Sequence, residues 1–290
     1  TPCRLPDQCE LSRFISGGRR ILFGALLIAV LAGLCWVDVS VLGRPLGSRI
    51  ALWLVALGAL HEALTLGARR VECNPGLFFF GAIVLVAVVT PSLLAGSPVN
   101  GSLFAAAVAV AACVRLMGMA PHRSAAGAFP EAVLLAAALL YTGGLLGFLD
   151  RILVSGPGGV ATAFAVIAVS KSSDIAAYFV GTFVGRKRIA PALSPKKTWE
   201  GTIAGILASA GVAALLTQEL LGGAPPALAA GIGAILGAAS FLGDLVESGF
   251  KRWVDVKDSG ALVPEFGGIL DMLDGILVAA PVAVICLHGA

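Results

Sequence analysis

The sequence predicts an all-α polytopic integral membrane protein with about nine transmembrane helices and a cytoplasmic N-terminus. Three observations carry this prediction. Hydrophobic residues make up 58% of the 290-residue chain and charged residues only 13%, with a mean hydropathy of +0.95, beyond the range of soluble globular domains. Apolar runs of about 20 residues, the length a bilayer requires, recur along the chain. Basic residues gather in alternate connections between those runs.

Taken in order, the spans read as about 21–38, 50–67, 76–95, 102–119, 130–149, 158–184, 201–217, 224–243 and 268–288. Residues 1–16 read as a short interfacial lead-in. The first span is not expected to be a cleaved signal, because more spans follow and no soluble mature domain does. The runs at 102–119 and 224–243 are rich in Ala and Gly, and such small residues let helices pack closely in lipid. Two regions follow: 1–150, with about five spans, and 151–290, with about four spans and cytoplasmic loops at 185–200 and 244–267.

Charge placement orients the bundle. With nine spans, one side carries Arg4, Arg13, Arg19, Arg20, Arg69, Arg70, Arg115 and Arg123. It also carries Arg186, Lys187, Arg188, Lys196, Lys197, Lys251, Arg252 and Lys257, leaving the other side only Arg44, Arg49 and Arg151. The positive-inside rule makes the rich side cytoplasmic. A net charge of +3 suits loops facing anionic lipid, and no aromatic-basic interleaving points to nucleic acid. The six cysteines (Cys3, Cys9, Cys35, Cys73, Cys113, Cys286) form no CxxC pair and read as ordinary thiols rather than a zinc site or disulfide framework.

Polarity divides the chain unequally. The first half has little intramembrane polarity; His61 and Glu62 lie inside the second span, and a helix–helix hydrogen bond explains them better than a functional pair. His122 and Arg123 read as topology signals. In the second half Lys171 and Asp174 lie three apart on one helix face, either a buried neutralising pair or a carboxylate in a polar cavity with its balancing cation. In Ser194-Pro195-Lys196-Lys197-Thr198-Trp199-Glu200-Gly201, Ser194 reads as a helix N-cap with Pro195 at the first helical position. Both lysines would then occupy a first turn that disfavours cations, a placement that suits a bound phosphate. The alternative is a basic loop that only sets topology.

The densest polar run is 248–274, SGFKRWVDVKDSGALVPEFGGILDMLD. On a helix continuing past 243, Asp244, Glu247 and Lys251 share a face. Gly267-Gly268 then lead into the last span, with Asp271 and Asp274 in its first two turns. Carboxylates suit a helix N-terminus on their own account, but acidic pairs on both flanks of a basic loop also suit magnesium and a phosphorylated ligand.

In this order the residues resemble the membrane phosphatidate cytidylyltransferase (CDP-diacylglycerol synthase) family. Ser248, Lys251, Arg252, Lys257, Asp258, Gly260, Pro264, Gly267, Gly268, Asp271 and Asp274 match its signature. Gly243 to Ser248 (G-D-L-x-E-S), Asp174, Ala177, Tyr178 and Gly181 (D-x-x-A-Y-x-x-G), and Ser194 through Gly201 match its other motifs. The resemblance covers about 170–280. Phe266 stands where the family has His, and Met272 where it has Arg.

The resemblance implies transfer of the cytidylyl group of CTP to phosphatidic acid, giving CDP-diacylglycerol and pyrophosphate. It implies Mg2+, with or without a second metal or a monovalent ion. Asp244, Asp271 and Asp274 are the first expected ligands, Glu247 and Asp174 the second; Asp244, Lys251, Asp271 and Asp274 are the expected catalytic set. Ser194, Lys196, Lys197, Ser248, Arg252, Lys257, Gly267 and Gly268 are expected to bind substrate, the glycines by letting backbone approach the nucleotide. The expected setting is a bacterial inner membrane, with the site facing the cytoplasm and a homodimer suggested. The alternatives are a cytidylyltransferase for another lipid phosphate, and a transporter in which Lys171, Asp174, His61 and Glu62 line an ion path.

Overall fold

A spanning segment in lipid must satisfy every backbone polar group internally, so the apolar runs fold as helices. The computed structural model describes residues 29–30, 33–34, 36–74, 76–118, 125–260 and 267–289. After a π-helical turn at Asp38–Leu42 come α1 (Leu46–Gly67), α2 (Leu77–Ala95), α3 (Gly101–Gly118) and α4 (Ala125–Leu139). A second π-turn, Leu140–Gly144, carries α4 straight into α5 (Leu145–Leu153), followed by α6 (Gly159–Phe183). A hairpin of β1 (Arg188–Ala190) and β2 (Ser194–Thr198) precedes α7 (Trp199–Leu215), the short α8 (Thr217–Leu221), α9 (Pro226–Trp253) and α10 (Ile269–Gly289).

Six stretches are long and apolar enough to cross a membrane: Leu46–Gly67, Leu77–Ala95, Ala128–Leu153, Gly159–Phe183, Pro226–Trp253 and Ile269–Leu287. Gly101–Met117 and Trp199–Leu215 are shorter apolar helices. Together these coincide with the expected spans from 50–67 onward, the Ala/Gly-rich ones included. The expected first span lies largely outside the described residues, as do residues 1–16, His122, Arg123, Pro264 and Phe266.

Two sequence expectations are corrected. The loop expected over 244–267 begins only after Trp253, because α9 runs 28 residues without a break and carries Asp244, Glu247 and Lys251 in its last turns. Ser194 is not an N-cap and Lys196 and Lys197 are not in a helical turn. They lie on β2, paired antiparallel with β1 (Arg188 opposite Thr198, Ala190 opposite Ser194). The helix is capped by Thr198, whose Oγ1 accepts the Gly201 N–H at 3.2 Å. Pairing to β1 keeps the segment extended until Thr198, a better placed cap, starts the helix.

Side-chain contacts show which helix ends lie together. Arg70 pairs with Asp255, Arg115 with Glu131, and Glu62 holds the start of α10; these ends share one end of the bundle. At the other, Arg49 of α1 donates through Nε (2.7 Å) and Nη2 (3.1 Å) to Asp150 of α5. Asp150 also accepts from Trp53 Nε1 and the Val99 N–H, while Arg49 reaches the Ser97 and Ser92 carbonyls. A buried ion pair is tolerated when its remaining donors and acceptors are met in this way.

Two apolar cores meet on α10. Leu270 and Leu277 pack with α1–α4, whereas Ile276, Ala279, Ala280, Ala283 and Val284 pack with α5, α6 and α9. Glycines bring the C-terminal helices together. A Cβ at Gly201 would lie 2.7 Å from the Ala177 carbonyl oxygen, and one at Gly205 2.8 Å from that of Ser173. This small-xxx-small pair closes α7 onto α6. A Cβ at Gly243 would overlap the Asp274 carbonyl, so α9 and α10 touch backbone to backbone beside two of the acidic residues.

Gly243→Ala is therefore expected to lower stability in detergent by about 1–3 kcal/mol through overpacking. Gly231→Ala, on the same helix with nothing within 4 Å of its added methyl, should match or exceed the parent. Thermal unfolding of the two purified variants checks this.

Candidate active site

The hairpin fixes the mouth of the site. Glu200, in the first turn of α7, accepts the backbone N–H groups of Arg186 (3.1 Å) and Lys187 (3.2 Å), and the Trp199 N–H donates to the Lys187 carbonyl. The β1 approach is thus tied down on α7. On β2 Lys196 is exposed and Lys197 half-buried. Lys197 Nζ reaches Asp244 Oδ2 on α9 at 2.6 Å and lies 4.9 Å above the centre of the Phe241 ring, an attractive placement for a cation.

Lys196, Lys197, Asp174 and Asp244 line one cavity of about 200 Å³ between α6, α7, α9 and the hairpin. Its apolar wall includes Phe241 and Tyr178, and its floor passes Gly181 and Gly201, where α6 and α7 are closest. Of the two sequence readings of Asp174, the structure matches the second, a carboxylate in a polar cavity, since the pair is only half-buried. The carboxylate opens on a polar cavity, and Lys171 Nζ balances it at 2.9 Å.

Ammonium groups alternate with carboxylates deeper in the site. Lys171 also approaches Asp274 Oδ1 at 3.6 Å, so it joins α6 to α10. Ser240 of α9 contacts Asp174 at 3.3 Å. Lys251 stands between Glu247 (3.2 Å) on its own helix and Asp271 (2.6 Å) on α10. Asp244 and Asp174 are within Coulombic reach of Asp274. Among the described residues, no three acidic, His or Cys side chains are grouped to hold a metal ion as they stand; lysines occupy the spaces between the carboxylates. Asp174, Asp244 and Asp274 are the set a metal ion could draw on.

The signature loop is built around two carboxylates. Asp271 Oδ2 accepts the Ser259 N–H (2.9 Å) and the Gly268 N–H (3.0 Å). Glu62 of α1 accepts the Ile269 (2.9 Å) and Leu270 (2.8 Å) N–H groups and lies 3.3 Å from Ser259 Oγ. Glu62 therefore satisfies orphan donors at the N-terminus of α10. Gly267 has φ +95°, a left-handed conformation that suits glycine, and a Cβ at Gly260 would lie 2.6 Å from Glu62 Oε1. In this structure the backbone that Gly267 and Gly268 expose approaches the protein's own Glu62 and Asp271.

The remaining expected residues are spread outward. Ser248 Oγ is 3.4 Å from Asp244 Oδ1. Arg252, exposed, donates to the Leu193 carbonyl of the hairpin at 3.2 Å, and Lys257 is exposed. Ser194 is half-buried on β2. The His61 ring packs edge-on against Phe78, with ring centres 4.8 Å apart. Sequence reasoning did not assign Lys171, Phe241 or Thr198 to the site. Lys171 was visible as an intramembrane cation three residues from Asp174; Phe241 had no signal beyond hydrophobicity.

A phosphatidate cytidylyltransferase of Brucella suis biovar 1 is 35% identical over 278 residues, 93% of this chain and 92% of its own. One from Chlamydia muridarum is 42% identical over 129 residues, 43% of this chain and 42% of its own. One from Mycobacterium bovis is 40% identical over 135 residues, 47% and 44% of the two chains. Residues 18–289 match the cytidylyltransferase family as a whole, and the chain belongs to that family.

Proposed function

We propose that this protein transfers the cytidylyl group of CTP to phosphatidic acid, releasing CDP-diacylglycerol and pyrophosphate. The observation that carries the reading is the cavity in which the lysines of β2 face Asp174 and Asp244 between apolar helices. Long-range similarity to proteins named phosphatidate cytidylyltransferase supports it. A phosphate monoester is already an anionic nucleophile near neutral pH, so no general base is needed. Its oxygen attacks the α-phosphorus, and the bond to the bridging oxygen of the β-phosphate breaks. The obstacle is repulsion between two polyanions. Lys196 and Lys197 at the mouth, Lys251 behind them and Arg252 on the exposed side of the hairpin hold and neutralise the phosphates. Binding both substrates side by side removes the entropy cost of their encounter.

The donors at this site fit magnesium. All are carboxylate oxygens, the hard ligands that ion selects, and the Lys171 ammonium between Asp174 and Asp274 marks a position that favours a cation. Asp174, Asp244 and Asp274 would hold the ion, with Glu247 and Asp271 behind Lys251; a second metal or a monovalent ion would draw on the same set. Bound there, magnesium would stabilise charge on the transferred and departing phosphates.

The reading carries a topology: nine spans, the N-terminus in the cytoplasm, and the site at the cytoplasmic face of a bacterial inner membrane. Arg69, Arg70, Arg115 and the basic hairpin lie toward the site end, which supports that orientation. CTP would arrive from water while acyl chains stay in the bilayer. Polar chemistry gathered at one end favours an interfacial enzyme over a transporter. A homodimer belongs to the reading as well, on the strength of the small-residue spans.

Purified protein with labelled CTP, Mg2+ and a panel of lipid phosphates should form CDP-lipid with phosphatidic acid. Product only from another lipid phosphate would replace the substrate, and none from any would end the proposal. Asp271→Asn should reduce turnover about a hundredfold or more while the protein extracts and elutes like the parent; near-parental turnover would remove Asp271 from the catalytic set. Lys197→Met should raise the KM for CTP about tenfold or more, as expected for losing a charged contact. An unchanged KM, read from initial rates at saturating lipid, would place the triphosphate elsewhere.

A further inference from the structure

The lysines that face carboxylates in this site are held in two different ways. Lys171 donates a hydrogen bond to Asp174 at 2.9 Å, and Lys251 donates one to Asp271 at 2.6 Å. Lys197 Nζ lies just as close to Asp244 Oδ2, at 2.6 Å, yet makes no hydrogen bond to that oxygen or to any other group. Its second contact is the face of the Phe241 ring, whose centre is 4.9 Å away. Phe241 and Asp244 stand about one turn apart on α9, on the same face. Between them they leave Nζ almost no exposed surface, although Lys197, Phe241 and Asp244 all line the cavity. An ammonium carries three donors, and buried donors without acceptors are costly. Charge and the ring face hold Lys197 here; directed acceptors do not.

Asp244 has a second claim on it. Its side chain is 33% exposed, it opens on the same cavity, and it belongs to the carboxylates that fit a divalent ion. The Lys197 ammonium holds this carboxylate in the structure, and a divalent ion carries twice its charge. Two cations at one carboxylate repel each other. An ion on Asp244 therefore turns Lys197 toward the cavity, where phosphate oxygens are the acceptors it lacks. We propose that Asp244 and Lys197 form a cation-exchange latch: Lys197 holds Asp244 until a divalent ion displaces it, and the released ammonium then takes up the triphosphate of the nucleotide. This rests on the cytidylyl-transfer reading above and adds a coupling to it. Metal strengthens the hold on nucleotide through Lys197, and nucleotide strengthens the hold on metal by the same factor.

Lys196 supplies the control, since it precedes Lys197 on β2 and lines the same cavity, while the ion pair to Asp244 is made by Lys197. Binding of Mn2+ to the purified, nucleotide-free protein is followed by the electron paramagnetic resonance of the free ion. Lys197→Met should bind Mn2+ about fivefold more tightly than the parent, because a part-exposed competing ammonium has gone, and Lys196→Met should stay within about twofold. In EDTA, Asp244→Asn should bind CTP about fivefold more tightly than the parent by calorimetry, and adding Lys197→Met should erase that gain. The Asp244→Asn arm reads the latch from its other side should Lys197→Met fail to fold. Equal tightening of Mn2+ in both lysine variants marks bulk charge and would overturn the latch. So would an unchanged Mn2+ affinity in folded Lys197→Met, or an Asp244→Asn gain that is absent or that survives Lys197→Met. A parent that makes CDP-lipid while its variants fail these arms ends the latch alone; a parent that binds neither Mn2+ nor CTP ends the cytidylyl-transfer reading with it.

Discussion

An apolar bundle can keep this many acidic side chains only because each has a cation or a row of N–H donors beside it. Burying an isolated carboxylate is costly enough to unfold a marginal protein, and the arrangement of Lys171, Lys197 and Lys251 answers that cost. Lys171 serves Asp174 and Asp274, Lys251 serves Glu247 and Asp271, and Lys197 serves Asp244. Because these pairs cross between α6, β2, α9 and α10, the contacts that make the charges tolerable also hold the helices in register. Chemistry and fold thus depend on the same ion pairs.

That dependence reaches the first half of the chain through Glu62. Its carboxylate takes the N–H groups that open α10, so the turn that positions Asp271 is held from α1. The glycines at 260 and 268 are required there because a side chain at either would displace Glu62 or Ser259. At the far end, Arg49 and Asp150 close the bundle with a fully bonded pair. The two ends differ: the Arg49–Asp150 pair is met by its neighbours, whereas at the site end Lys171 and Lys251 are each shared between two carboxylates.

Most of the helical fold was legible because spanning a bilayer imposes a length and a composition that survive in a single sequence. The positions of Asp244, Glu247 and Lys251 on one face followed from helical spacing alone. What was not legible depended on partners distant in the chain. Ser194-Pro195 is a plausible helix start in isolation, and only pairing with Arg188–Ala190 makes it a strand. The π-turn between α4 and α5 has no spacing signature. Glu62 was correctly weighed as a structural hydrogen bond between helices, but that its partner is the backbone of α10, 207 residues away, has no signal in the local sequence.

The position of the site at one end of the bundle has a physical rationale that the fold makes explicit. Two polyanions must be brought within bonding distance, one soluble and one anchored by acyl chains. Fixed ammonium groups in water are screened and strongly hydrated, whereas the same groups at a low-dielectric boundary act with greater force. Placing β2 over the mouth puts Lys196 in solvent and Lys197 against Phe241 and Asp244, a gradient from hydrated to shielded charge along two residues. An anion on such a gradient can exchange water for fixed donors stepwise. On the α6 side Asp174, with Lys171 beside it, faces the same cavity, while Gly201 and Gly205 let α7 close onto α6. The charged groups of the cavity are thus supplied jointly by β2, α6 and α9.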